Sequence, residues 1–463
     1  MTQNVQFNPE LVKRYDLAGP RYTSYPTAVQ FHEGFDETLY RRFVAASNDD
    51  LIPAPLSLYV HLPFCHSLCY YCACTKKITR HAEHGVRYLE SLAQEIRLQA
   101  ELFDHDREVT QLHFGGGTPT FFDDIQLEQL MACLTHHFHF ATSKTREFSI
   151  EIDPRTVDAG RLEQLAGFGF NRISLGVQDF DPDVQAAINR IQDSQATLGL
   201  IEKARALKFR SVSLDLIYGL PLQSIDSFRR TLETVISARP DRLAVYNYAH
   251  MPGIFRSQRL IRECQLPSPG QKLELMEQTV RMLGDAGYVY IGMDHFALPD
   301  DELCKAQQSG NLHRNFQGYS THSECDLVGL GVSAIGKIGD SFTQNLKDIR
   351  AWEAALGSES LPVWRGLALT PEDLLRKAVI ESIMCHGMVD FEALGARFGV
   401  EFDQHFALEL NSLEGLAADG LLNMDDDGFA VTPEGRLLLR AVAMVFDEHL
   451  NNLEGRPRFS RVI

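Results

Sequence analysis

The chain contains no run approaching the roughly 18 consecutive apolar residues that a membrane-spanning helix needs. Its first residues, Met1 to Arg14, are polar and have no apolar centre of the kind a secretory signal carries. These two absences predict a soluble, cytoplasmic protein with no membrane partner. A basic excess is also missing: 44 Lys and Arg face 62 Asp and Glu, a net charge of −18. A duplex-binding protein normally carries the opposite balance, so nucleic acid is disfavoured as a partner. An anionic small substrate stays open, because a local basic pocket can override the global field. No short internal repeat and no low-complexity tract is present. Cysteine is sparse and odd in number, nine in 463 residues, which is unlike a disulfide scaffold. Five of the nine are scattered (Cys133, Cys264, Cys304, Cys325 and Cys385) and read as small buried residues.

What is present begins with size. A chain of 463 residues with 44% hydrophobic content can bury a large core and suggests two or three domains. Short apolar runs alternate with longer helical stretches through its middle. Strands are expected at Leu56–Leu62, Thr110–Phe114, Glu147–Ile152, Arg172–Val177, Ser211–Ile217 and Arg242–Tyr248. Helices are expected at Val86–Leu102, Leu127–His137, Arg161–Phe168, Ala196–Leu207 and Ser227–Ser237. This alternation predicts an α/β fold with a parallel sheet. Polar residues gather where each strand ends: the cysteine loop, then Gly115-Gly116-Gly117-Thr118-Pro119, Glu151 with Asp153, Gln178-Asp179, Asp215, and Asn247 to His250. Six strand ends converging on one face suit a barrel mouth better than an open-sheet crevice.

The composition changes after about Gly366. Helices at Leu374–His386, Phe391–Phe398 and Phe406–Asp419 precede a hairpin, Gly420–Asn423 and Phe429–Thr432, around the turn Asp425-Asp426-Asp427-Gly428. A last helix is expected from Pro433 to about Leu450. That order predicts a mainly helical, winged-helix-like C-terminal domain, with three aspartates at its hairpin tip arguing against DNA. The expected division is an N-terminal arm at 1–50, a barrel with its extension at 51–364 and the C-terminal domain at 365–463. The arm shows no obvious core element and is expected to pack across the barrel.

Chemistry concentrates in Cys65-His66-Ser67-Leu68-Cys69-Tyr70-Tyr71-Cys72. Three thiolates at this spacing can wrap one [4Fe–4S] cube from a single loop and leave one iron open to a ligand. Zinc is the competing reading, but zinc sites usually pair a C-x2-C with a second, distant pair, which this chain lacks. Cys74 could supply a fourth sulfur. It lies so near Cys72 that reaching another corner of the same cube would strain the loop, so a substrate-side or local structural role is expected. His66 could ligate, or face outward. Tyr70 and Tyr71 either shield a cluster from water or simply pack. The Gly-rich loop after the second strand permits close backbone approach to a ligand but lacks the Gly-Lys-Ser/Thr ending of a nucleotide-phosphate loop.

Together, Tyr59-Val-His-Leu-Pro-Phe-Cys65-x3-Cys69-x2-Cys72-x-Cys74 and Gly115-Gly-Gly-Thr-Pro resemble the radical S-adenosylmethionine (SAM) superfamily. The fuller pattern resembles the oxygen-independent coproporphyrinogen III oxidases of haem biosynthesis. It includes Gly19-Pro-Arg-Tyr-Thr-Ser-Tyr-Pro26, Ser149–Arg155, Gly176–Phe180, Asp215–Pro221, Asn247–His250, Gly292–Phe296, His313-Arg-Asn-Phe-Gln-Gly-Tyr319 and Phe459–Ile463. The resemblance implies a partial (β/α)6 barrel, cluster ligation by Cys65, Cys69 and Cys72, and two SAM molecules. It implies Tyr59, Gly116 and Glu151 around the first SAM. Around the second it implies Tyr71, Gly117, Thr118, Gln178, Arg190, Asp215, Ala249 and Ile335. Glu151 and Asp215 suit ribose hydroxyls or an ammonium, and Arg190 a carboxylate; the plainer alternative for both acids is a core-edge carboxylate paired with a cation. Ala73 departs from the family's usual Gly.

The implied reaction takes hydrogen from the β-carbon of a propionate by a 5′-deoxyadenosyl radical. Loss of CO2 and an electron then leaves a vinyl group. Two such events convert coproporphyrinogen III to protoporphyrinogen IX. The implied partners are that tetra-anion and an electron donor such as flavodoxin or ferredoxin, with a monomer as the default state. Arg21, Lys76, Lys77, Arg80 and Arg314 are candidates for its carboxylates, solvated surface charge being the plainer alternative. His295 and His313 are further candidates, or else satisfied buried histidines. Competing readings are a haem-binding chaperone of the same family, a radical SAM enzyme acting on another substrate, and a zinc-bearing winged-helix module. The first generally lacks the fourth cysteine and the Pro-Arg-Tyr-Thr-Ser-Tyr-Pro arm, both present here.

Overall fold

A computed structural model describes residues 5–322, 324–451 and 459 of the chain. Its centre is six parallel strands: β1 (Leu56–Leu62), β2 (Glu108–Gly116), β3 (Glu147–Ile152), β4 (Arg172–Gln178), β5 (Ser211–Tyr218) and β6 (Arg242–Asn247). They lie side by side in chain order. Helices α1 (Ala82–Ala100), α2 (Asp124–His137), α3 (Ala159–Gly167), α4 (Ser194–Ala206) and α5 (Ile225–Ala238) connect them. Four of these start where a short polar side chain can take an orphan N–H: Asp123, Asp158, Asp193 and Ser224 each accept from the first turn. α6 (Pro269–Asp285) follows β6.

The six-strand array carries further strands at both edges. Beyond β6 lie two short antiparallel strands, β7 (Val289–Gly292) and β8 (His295–Ala297). Beyond β1 lie β9 (Asp326–Leu330), parallel to it, and then β10 (Ile335–Ile338), β11 (Ser341–Asn345) and β12 (Val363–Ala368), all antiparallel. The sheet runs as one open series from β7 to β12, so the barrel is partial. α7 (Ile349–Gly357) crosses behind the extension, and Trp352 from it stacks on Tyr88 of α1 at 4.7 Å between ring centroids. One continuous apolar core runs beneath these elements, including Leu58, Val60, Phe114, Ile150, Leu175 and Leu214.

A second core holds the C-terminal helices α8 (Pro371–His386), α9 (Phe391–Phe398) and α10 (Ala407–Ala418). A small antiparallel sheet, 388–390 with 422–424 and 428–431, completes this mainly helical, winged-helix-like unit. Two expectations from the sequence need correcting. The last helix does not run unbroken from Pro433 to Leu450. It is cut into short pieces and interrupted at Asp447, which adopts an extended backbone, accepts the Tyr22 hydroxyl at 2.9 Å and caps His449. The N-terminal arm does supply core elements: Tyr22 and Tyr25 enter the second core, and Phe35, Tyr40 and Val44 enter the first. Both errors share a cause. Periodicity along one segment does not reveal a partner four hundred residues away. The Phe459–Ile463 stretch lies outside the described residues except for Phe459.

Candidate active site

The cysteine loop leaves β1 at Leu62 and is stapled by its own carbonyls. Asn189 donates to the Leu68 carbonyl at 2.8 Å, Gln258 to Tyr71 at 3.0 Å, Ser257 to Cys72 at 3.0 Å and Lys76 to Cys72 at 2.9 Å. Asn189 comes from the segment after β4, and Ser257 and Gln258 from the segment after β6, so the far strands of the barrel help fix the loop, while Lys76 closes it from its own end. Cys65, Cys69 and Cys72 line one cavity of about 470 Å³, together with Gly116, Gly117, Thr118, Glu151, Gln178, Arg190, Asp215 and Tyr246. Tyr71 and Cys74 also line it.

Each remaining part of the lining has a local reason for its place. The Gly-rich loop can approach the cysteine loop only because it carries no side chains: a Cβ on Gly117 would lie 2.6 Å from the Pro63 carbonyl carbon. Gly117 and Thr118 donate instead to the carbonyls of Leu62 and Phe64, both at 2.9 Å. Gly116, at a φ of 115°, donates to Glu151 at 3.0 Å. A register shift between Gly176 and Gln178 places Gln178 at a positive φ of 68° and turns it toward the cavity. Arg190 donates to Cys69 Sγ at 3.5 Å and pairs with Asp153 at 3.0 Å, while Arg155 reaches the same sulfur at 3.7 Å.

The three sulfurs sit in different electrostatic surroundings. Burial pushes the Cys65 thiol up to about 11, opposed by the Thr118 hydroxyl that donates to it at 3.4 Å. A hydrogen bond from the Cys74 thiol holds Cys72 below the usual thiol range, against burial and with help from Lys76. Two guanidinium groups, those of Arg155 and Arg190, stand within hydrogen-bond reach of the Cys69 sulfur. Burial opposes ionisation of Glu151, but bonds from His113 and Gly116 hold its carboxyl below the ordinary value. Asp215 goes the other way: burial, then the Glu151 charge, push it up to about 7, and among the described residues only Ser174 donates to it, at 3.2 Å. Three soft sulfur donors, a loop that only glycine can form and two cations at one sulfur fit an iron–sulfur cluster with an organic ligand beside it. Among the described residues no second cysteine pair approaches the loop, which is what a closed zinc site would need.

Tyr59 stands just outside the cavity lining. Its ring stacks on His113 at 5.8 Å, and its hydroxyl meets His61 Nδ1 at 3.0 Å. Ala249 and Ile335 do not line the cavity. Lys76 does, whereas Lys77 and Arg80 are exposed outside it. His66 lines the cavity with its ring 4.5 Å from Phe121. Ala73 does not adopt a positive φ, so glycine is not required there.

A second cavity of about 180 Å³ lies deeper in the barrel and shares Glu151, Ser174, Asp215 and Tyr246 with the first. Its floor is made by residues early in the strands, Glu147, Arg172 and Arg242. The hairpin formed by His313–Asn315 and Gly318–Ser320 covers one side and contributes Asn315, Gln317 and Tyr319. Arg314 of this hairpin lies over Tyr319 at 4.7 Å, and its buried Nε and Nη1 have no hydrogen-bond partner among the described residues. His295 lines the same cavity. Burial and then Arg314 pull it down to about 4, and it bonds the Met293 carbonyl at 2.7 Å. His313 instead pairs with Glu381 at 2.8 Å. Arg21 reaches in from the arm, pairs with Asp294 at 2.5 Å and lies over Tyr246 at 5.6 Å. Sequence reasoning passed over Tyr246, His113 and Arg155 as site groups. Their only signal was a polar or aromatic residue late in, or just beyond, a barrel strand.

Comparison with known proteins agrees with this geometry. The family model described as Radical SAM superfamily matches residues 59–235, and the HemN C-terminal domain model matches residues 369–438. The oxygen-independent coproporphyrinogen III oxidase of Pseudomonas aeruginosa is 50% identical over 463 residues, covering 100% of both chains. Its counterpart in Escherichia coli K12 is 46% identical over 461 residues, covering 100% of this chain and 99% of the relative. The solved structure of coproporphyrinogen III oxidase (HemN) from Escherichia coli, described as a radical SAM enzyme, superposes with a TM-score of 0.92. That match covers 97% of this chain and 100% of the other at 46% identity. The chain therefore belongs to the oxygen-independent coproporphyrinogen III oxidases of the radical SAM superfamily.

Proposed function

We propose that this protein converts two propionates of coproporphyrinogen III to vinyl groups, giving protoporphyrinogen IX without oxygen. The observation that carries the reading is the meeting of Cys65, Cys69 and Cys72 with the Gly115–Thr118 loop and Glu151 at one cavity. When bound, the cluster and SAM supply an electron and a primary carbon radical that takes a hydrogen atom. Cys65, Cys69 and Cys72 would hold the cluster. Tyr59, Gly116 and Glu151 would hold the first SAM, with the Glu151 carboxylate kept charged for an ammonium.

A second SAM is proposed beside it, at Tyr71, Gly117, Thr118, Gln178, Arg190, Asp215, Ala249 and Ile335. A polar wall at the shared boundary of the two cavities supports that reading. The substrate radical would lose CO2 and pass one electron to an acceptor outside the chain as the vinyl double bond forms. The chain's part is to orient the propionate and exclude water. Arg314 and Arg21 would meet its carboxylates, with His295 on the lining of the deeper cavity; Cys74 at the lining of the first would act on the substrate side. We further propose an arm at 1–50, a barrel at 51–364 and a cap at 365–463, acting as a cytoplasmic monomer.

The test is anaerobic turnover of the reconstituted protein with coproporphyrinogen III, SAM and a reductant. Protoporphyrinogen IX should form with 5′-deoxyadenosine and methionine. Deoxyadenosine without vinyl product would overturn the substrate; neither product with an intact cluster would overturn the reaction.

A further inference from the structure

The cysteine loop has an outer face as well as an inner one. Phe64–Cys65 forms a short parallel ladder with Lys77–Ile78. Lys77 donates to the Pro63 carbonyl at 2.7 Å and Thr79 to the Cys65 carbonyl at 3.1 Å. Lys77 and Ile78 are both exposed. One backbone hydrogen bond therefore separates the solvent-facing strand from the residue whose sulfur faces the cavity.

A cleft of about 330 Å³ opens beside this ladder, between it, α1 and α7. Lys76, Lys77, Arg87, Lys347 and Arg350 line it, against only two carboxylates, Asp348 and Glu353. Both carboxylates are engaged: Asp348 caps α7, and Glu353 pairs with Arg87 at 2.6 Å. Ile78 beside Lys77 and Val86 beside Arg87 are exposed, at 39% and 46%. A cationic cleft with exposed aliphatic residues next to it stands out on a chain of net charge −18. Screening confines exposed charges to about 8 Å at physiological salt, so an approaching body feels the cleft and not the distant acidic surface.

We propose that this face is the docking surface for an acidic one-electron carrier protein, of flavodoxin or ferredoxin type, which reduces the cluster through the Cys65 side of its loop. The proposal rests on the cluster reading above. One electron leaves the reduced carrier and enters the cluster, and no proton or bond need move. Charge complementarity selects an acidic partner, and the ladder supplies the short path. The small cleft suits the limited interface of transient redox encounters.

The test uses the full-length reconstituted protein and a reduced flavodoxin, with K347E/R350E as the variant and K347Q/R350Q as a milder second one. Binding is read by surface plasmon resonance at two salt concentrations. Turnover is driven either by the flavodoxin or by dithionite, which needs no docking surface. The charge reversal should weaken binding about tenfold, with a smaller loss in the glutamine variant and a flatter salt dependence. Flavodoxin-driven turnover should fall in parallel while dithionite-driven turnover is unchanged. Unaltered binding in both variants would overturn the surface, as would an equal loss with both reductants. Failure of the wild type to turn over even with dithionite would instead overturn the enzymatic reading.

Discussion

At the residue scale, Asp215 and Arg314 are two buried polar groups that their partners among the described residues leave incompletely satisfied. Asp215 is pushed up to about 7 by burial and by Glu151. Its folded value lies above its unfolded one, so the ligand-free protein loses stability as pH rises from about 4 to about 7. Asp215→Asn should therefore stabilise the ligand-free protein at pH 8 by about 2 kcal/mol, with no gain by pH 4. Urea titrations across that range check the difference, and equilibrium dialysis should show weakened SAM binding in the same variant. Arg314 keeps two buried N–H groups without partners among the described residues. Arg314→Met should raise KM for coproporphyrinogen III about 10- to 100-fold, the worth of a charge-assisted bond, with a smaller change in kcat. A kcat loss with KM unchanged would place Arg314 elsewhere in the mechanism.

At the scale of elements, the cysteine loop, the Gly-rich loop and the strand ends form one rigid frame. Gly117→Ala has nowhere to put its methyl group except into the Pro63 backbone. It should cost about 1–3 kcal/mol and lower the iron content after reconstitution, measured by thermal melting and iron analysis. Much of this frame was legible beforehand. Leu56–Leu62 and Glu147–Ile152 are strands with the bounds their alternation predicts, because a run of β-branched and leucine residues between turn signals has few other outcomes. The cysteine and glycine motifs were legible because their chemistry is local in sequence. β7 to β11, by contrast, are strands of three to five residues whose existence depends on neighbours supplied by the sheet. Arg155 and Tyr246 at the site were illegible for a related reason: only the closing of the strands brings them to the sulfurs or the cavity.

At the scale of the whole molecule, the arm ties the barrel to the C-terminal unit. Tyr22 is buried in the second core and bonds Asp447, while the neighbouring Arg21 pairs with Asp294 beside the barrel mouth. Tyr22→Ala should cost about 3–5 kcal/mol through the cavity and the lost hydrogen bond to Asp447, read as a lower urea midpoint. Because the same segment carries Arg21, turnover should fall as well. No helix among the described residues is long and apolar enough to cross a membrane, and the charge of −18 is carried by a surface that turns basic beside the cysteine loop.

The central claim is that Cys65, Cys69 and Cys72 leave one iron of a [4Fe–4S] cluster open to SAM. Electron paramagnetic resonance of the anaerobically reconstituted, reduced protein tests it most directly. The account predicts a reduced-cluster signal whose g-values change when SAM is added, kept in Cys74→Ala and lost in alanine variants of Cys65, Cys69 or Cys72. A signal indifferent to SAM, or a cluster that survives loss of one of those three cysteines but not of Cys74, would contradict it.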